Sequence, residues 1–142
     1  MRKLLFSIII FSLLVLVTIS CKKKENDPSP QDSITIVSVS PSTGLVDAQP
    51  TSFDVEVKYT LNTAEQGEIE VGFNSSDPSY YTMNTSAAFP VLKGSGTHTF
   101  TVTSTPKQWG GSQHFQVYVN IAKTPKGSSY SPTAVDIENL SF

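Results

Sequence analysis

The chain has 142 residues, enough for one domain with a short extension, and its 10 basic and 12 acidic side chains leave a net charge of −2. The basic residues of the body are dispersed along the chain, which argues against nucleic acid as a partner, because phosphate binding needs clustered Lys and Arg. A single cysteine rules out an intrachain disulfide.

Met1-Arg2-Lys3 forms a positive head, and residues 4–17 (LLFSIIIFSLLVLV) are almost wholly apolar. Thr18-Ile19-Ser20 then leads into Cys21. A basic, an apolar and a short polar region in that order are the layout of a secretory signal peptide. One alternative is an uncleaved membrane span, which needs about 18 apolar residues; Ser7, Ser12 and Thr18 interrupt this run. Simple secretion is the other. The stretch ending at Cys21 resembles the lipobox of bacterial lipoproteins, with Thr18 standing where those signals usually carry leucine. The resemblance implies that residues 1–20 are removed and that the Cys21 thiol is acylated. It also implies a membrane partner held through the N-terminal lipid, at the outer membrane. One acyl chain, at ~0.8 kcal/mol per buried CH₂, holds weakly, and two or more hold stably. With its cysteine so used, the mature chain is expected to be stable through its apolar core alone.

Residues 21–32 form a tether. Lysines 22 to 24, Glu25, Asp27, Pro28 and Pro30 favour an extended, solvated chain. Lys24-Glu25-Asn26-Asp27 resembles the lysine-plus-acidic signals that send some Gram-negative lipoproteins to the cell surface, with Asn26 interrupting the acidic run. Asp32-Ser33-Ile34 resembles an O-glycosylation site of some of these bacteria, which would place a glycan on Ser33. Arginine is absent after Arg2, so the mature chain lacks the usual bidentate anion clamp.

From Ser33 to Phe142 the pattern has period two. Residues 33–40 (SITIVSVS) switch apolar phase between Ile34/Ile36 and Val37/Val39, which predicts a bulge or a crossing between sheets. Pro41, Gly44 and Pro50 mark a loop. Residues 51–61 place Phe53, Val55, Val57, Tyr59 and Leu61 on one face; residues 67–73 do the same with Ile69, Val71 and Phe73. Residues 74–85 read as a loop or a short edge strand. Residues 86–92 form a weak strand that Pro90 restricts to an edge. Residues 96–104 align His98, Phe100 and Val102 opposite four threonines, and residues 113–121 align Phe115, Val117, Val119 and Ile121. The last strand, 133–142, turns Val135 and Ile137 inward, then Leu140 and Phe142 after a phase shift.

About seven short strands without helical periodicity predict an all-β, two-sheet antiparallel sandwich over residues 33–142, behind an N-terminal signal helix. The run Phe115-x-Val117-x-Val119-x-Ile121 resembles strand F of fibronectin type III and related immunoglobulin-like domains. Phe115 replaces the corner tyrosine of many of them, and Trp109 lies in a loop where neither family keeps its core tryptophan.

The residues argue against an enzyme, a metal centre or a bound cofactor. His98 and His114 sit on strands, and Cys21 is committed to lipid, so no set of three or four zinc ligands remains. No Gly-x-Ser-x-Gly elbow supports a serine nucleophile. Glu68 and Glu70 share one face, near Asp54 and Glu56, yet carboxylates on an exposed strand face read as solubilising before they read as a glycosidase pair. The loops carry the functional signal. If the strands run up and down, loops 40–50, 74–85 and 105–112 share one end, which brings together Tyr80, Tyr81 and Trp109. Tyr and Trp give rigid contact area at low entropic cost and dominate binding hot spots. They predict a site for a glycan or a protein. The competing reading is that Trp109 folds back to plug the end of the core. A second functional class is a structural or assembly subunit that binds through sheet edges.

Overall fold

The computed structural model describes residues 30–77, 84–110, 114–126 and 131–142. The signal peptide and the tether up to residue 29 lie outside the described residues, as do Tyr80 and Tyr81. Every regular element among the described residues is a β-strand: β1 (Ser33–Ser40), β2 (Thr51–Ser75), β3 (Asn84–Ser104), β4 (Phe115–Lys123) and β5 (Ala134–Leu140). All pairings are antiparallel. The chain is therefore all-β, as its alternation predicts.

The expected seven strands are five continuous ones. Residues 51–61 and 67–73 belong to the single strand β2, and residues 86–92 and 96–104 to β3. Both strands run on through the stretch between these segments, where the ladder shifts register. Leu61 faces Gly94 and Gln66 faces Leu92, so β2 carries extra residues through this point. Such an excess bends the strand sharply. The bend is so strong that Phe53, near the start of β2, meets Phe73, near its end, with ring centroids 4.8 Å apart. The first half of β2 pairs with β1 and with residues 94–104 of β3. Its second half pairs with residues 84–92 of β3 and with β4, and β4 pairs with β5. The result is a curled sheet whose halves face each other across the core.

Gly67 makes the bend feasible. A Cβ there would lie 2.8 Å from the Ala122 carbonyl oxygen and 2.9 Å from a Leu61 methyl, so only glycine lets the strands approach this closely. The predicted inward faces are the observed core: Phe53, Val55, Val57, Leu61, Ile69, Val71, Phe73, Phe100, Val102, Phe115, Val117, Val119 and Ile121 are all buried. Fully burying a side chain of this size stabilises the fold by about 1.5–3 kcal/mol. Tyr59 is half-buried, its ring against Gly96 on the neighbouring strand.

The phase switch in β1 is a bulge at Val37, because Ile36 faces Val57 while Ser38 faces Glu56. Val37 is thereby turned to the surface. The curl is closed where β1 meets β5: the Ile36 N–H donates to Asp136 Oδ2 at 2.8 Å. This contact explains a correction in β5. Val135 and Ile137, expected inside, are 44% and 49% exposed. Their neighbours Ala134, Asp136 and Glu138 take the inward phase opposite Ile121, Val119 and Val117, and Leu140 alone of this strand is buried. A polar side chain is tolerated there because it satisfies an edge amide of β1. Phe142 is likewise 37% exposed rather than buried.

The two ends of the molecule differ. Residues 30–32 enter at the end that holds the β2 bend, the Lys93–Glu65 ion pair and the Thr124 N–H bond to the Gln66 carbonyl. This is the near end. At the far end, segment 41–50 bonds to the residues that follow β5 and to Pro106, and Ser76 bonds to His114.

Candidate functional site

The far end is built by short polar connections between loops. The Ala48 N–H donates to the Pro106 carbonyl at 2.9 Å, and the Gln108 N–H to Asp47 Oδ1 at 2.7 Å. The Ser76 N–H donates to the His114 carbonyl, and the His114 N–H returns a bond to Ser76 Oγ at 2.8 Å. The Ser141 N–H bonds the Ser42 carbonyl, while the Ser141 carbonyl accepts from Leu45. Loops 40–50, 74–85 and 105–112 were expected to share an end. Their described parts do so.

Trp109 sits on this scaffold, half-buried, its ring stacked on Phe115 with centroids 6.4 Å apart and a 30° tilt. Phe115 stacks on Phe73 at 5.5 Å, and Phe73 packs on Phe53. Trp109 is thus the outermost of the described rings in an aromatic column that runs into the core, as the plug reading expects. Its outer side lines a cleft of about 190 Å³ together with Gln108, His114 and Phe142. Sequence reasoning missed His114 and Phe142 as neighbours of Trp109. His114 directly precedes β4 and Phe142 follows β5, and the pairing of Phe115 with Leu140 brings Phe142 to this end, which no local pattern signals. Ligand cavities of drug-sized molecules measure roughly 300–1,000 Å³, so this cleft suits one ring or side chain of a larger partner.

The residues considered for chemistry are engaged elsewhere. His98 stacks on Phe89 at 3.6 Å and meets the edge of Phe100 at 4.5 Å, so it packs as part of the core rim. Glu68 and Glu70 are not free carboxylates on a solvated face. Lys126 bridges them at 2.5 Å to each, Asn120 Nδ2 donates to Glu70 at 3.3 Å, and the Glu70 side chain is only 13% exposed. The hydrogen bonds to Glu68 and Glu70 hold the Lys126 ammonium above its usual range. Asp54 and Glu56 lie on the other half of β2. Asp54 accepts from Thr101, and Glu56 from Ser38 at 3.4 Å. Among the described residues, no three His, Cys, Asp or Glu side chains converge as a metal site would require.

Ser33, the candidate glycan acceptor, is exposed at the first position of β1. The residue before it has a role that sequence reasoning missed. Asp32 Oδ1 accepts from the Asn62 and Thr63 amides at 2.8 and 2.9 Å, and Oδ2 from the Thr63 hydroxyl at 2.6 Å. Asn62 Nδ2 completes the clasp at the Gln31 carbonyl. Partial burial alone would raise the Asp32 carboxyl. The hydrogen bonds from the Thr63 and Thr133 side chains and the two amides outweigh it and lower the pKa to about 2, from an ordinary 3.8.

No protein-family model matches the chain, and no curated protein matches it either.

Proposed function

We propose that this chain is a lipid-anchored lipoprotein of the outer membrane, held through Cys21, whose body is a non-catalytic binding or accessory module. In this reading the body is an immunoglobulin-like two-sheet sandwich. The pairing scheme supports that: β2 and β3, each counted as two strands crossing between layers, give the seven segments of the sequence reading. The partner is a glycan or a protein that meets the far-end loops.

One observation carries the reading. Asp32 fixes the entry of the tether at the near end, while Trp109 and the described residues Ser76 and Asp77, which precede Tyr80 and Tyr81 in the chain, lie at the far end. An anchor at one end and an aromatic surface at the other suit a module that presents its loops away from the membrane. The test is binding to a glycan array and to surface-protein extracts, with wild type beside the Tyr80→Ala, Tyr81→Ala, Trp109→Ala triple variant. The reading expects signals that the variant loses while a melting curve shows it folded. Equal signals from both proteins overturn the site.

A second reading, an assembly subunit acting through sheet edges, is favoured by β3. Among the described strands it pairs with β2 alone, which leaves its other edge without a described strand partner. Residues 94–104 of that edge carry no Lys, Asp, Glu or Pro, the residues that usually blunt such edges. Concentration-dependent oligomers in light scattering support this reading, and a monomer at high concentration counts against it.

A further inference from the structure

The near end carries an apolar projection that the far-end function does not use. Leu92 is 70% exposed, the most exposed of the large hydrophobic side chains in the described residues. It flanks a cleft of about 350 Å³ lined also by Pro90, Val91, Gly67, Gln66 and Thr124. β3 runs on past the leucine and stays paired with β2, with Gly94 at φ +127 where the two strands bend together. Leu92 pairs across from Gln66, at the β2 bend that Asp32 clasps.

A lone exposed leucine is ordinary on a protein surface. This one stands at the end where residue 30 enters, and so where the mature tether from Cys21 joins the body. We infer that Leu92 and the bend of β3 beside it dip into the surface of the bilayer that holds the anchor, so that the body stands with its near end on the lipid. The inference rests on the reading of Cys21 as lipidated. Residues 22–31 extended reach roughly 35 Å, so the bilayer is never far and the second contact is effectively intramolecular. A weak apolar contact is then enough to bias orientation. Lys93 and Lys123 lie at the same end, where cations favour anionic head groups. Lys93 is already paired with Glu65 at 2.7 Å, so the leucine supplies most of the contact.

The test uses the full lipidated chain in vesicles of phosphatidylethanolamine and phosphatidylglycerol. Lys93→Cys carries an environment-sensitive dye, and Lys107→Cys, at the far end, carries the same dye as a control. The expected result is blue-shifted emission at position 93, quenched by bilayer-embedded quenchers, and a water-like signal at 107. Adding Leu92→Asp should return the 93 signal to its water value. Water-like emission at 93 in protein that floats with the vesicles overturns the inference and leaves the anchor intact. Protein that does not float overturns the anchor reading and the inference with it.

Discussion

Single side chains decide how the near end is fastened. The Asp32 carboxyl is depressed to about 2, so its contribution to stability is present above its ordinary value of 3.8 and fades as the pH falls through about 2. Asp32→Asn should therefore lower stability at neutral pH by roughly 1 kcal/mol, a modest loss for a mostly solvated group. It should also flatten the acid branch of the stability curve between about pH 4 and 2. Urea unfolding across that range checks both, and an unchanged acid branch would remove the clasp from the account. Gly67→Ala acts by sterics: the new methyl meets a backbone oxygen, which cannot move aside. It should cost about 1–3 kcal/mol, read as a lowered urea midpoint at unchanged slope. Neither residue is legible as structural in the sequence. Asp32 looks like the end of a polar linker, because its partners lie about 30 positions away. Gly67 looks like punctuation before a strand, because the carbonyl it approaches belongs to β4.

Strands are where the sequence speaks most clearly. The faces of residues 51–61, 67–73, 96–104 and 113–121 follow from alternation alone, because a strand has two faces and the apolar phase selects the buried one. Continuity does not follow. Residues 62–65 look like a loop but lie within β2 as an irregularity: pairing with β3 runs to Leu61 and resumes at Gln66, because β3 bends alongside β2. β5 misleads for a related reason. Its apolar pair Val135 and Ile137 faces outward, and the strand is placed instead by the Asp136 bond to β1. The aromatic column offers a sharper test of how the halves of β2 are joined. Phe73→Ala removes the ring that touches both Phe53 and Phe115. It should cost about 3–5 kcal/mol and change the Trp109 fluorescence, since Trp109 rests on Phe115. A loss below about 1 kcal/mol would mean that the halves are held by something other than this column.

At the scale of the molecule, the opposition of two ends gives the fold its functional sense. The far-end loops meet through backbone bonds that no sequence motif announces, although their meeting follows from an up-and-down strand order. The identity of the far-end cleft was only half legible: Trp109 stood out by type, while His114 and Phe142 reach it through tertiary placement. The near end has the opposite character, a clasp for the incoming chain beside a projecting leucine. In the proposed reading, this arrangement depends on the acylation of one sulfur atom, that of Cys21. The most direct measurement is incorporation of labelled palmitate, with partition into a detergent phase, for the wild-type chain and for Cys21→Ser. The account predicts label and detergent partition for the wild type, and neither for the variant. Label on the variant, or equal partition of the two proteins, would contradict it.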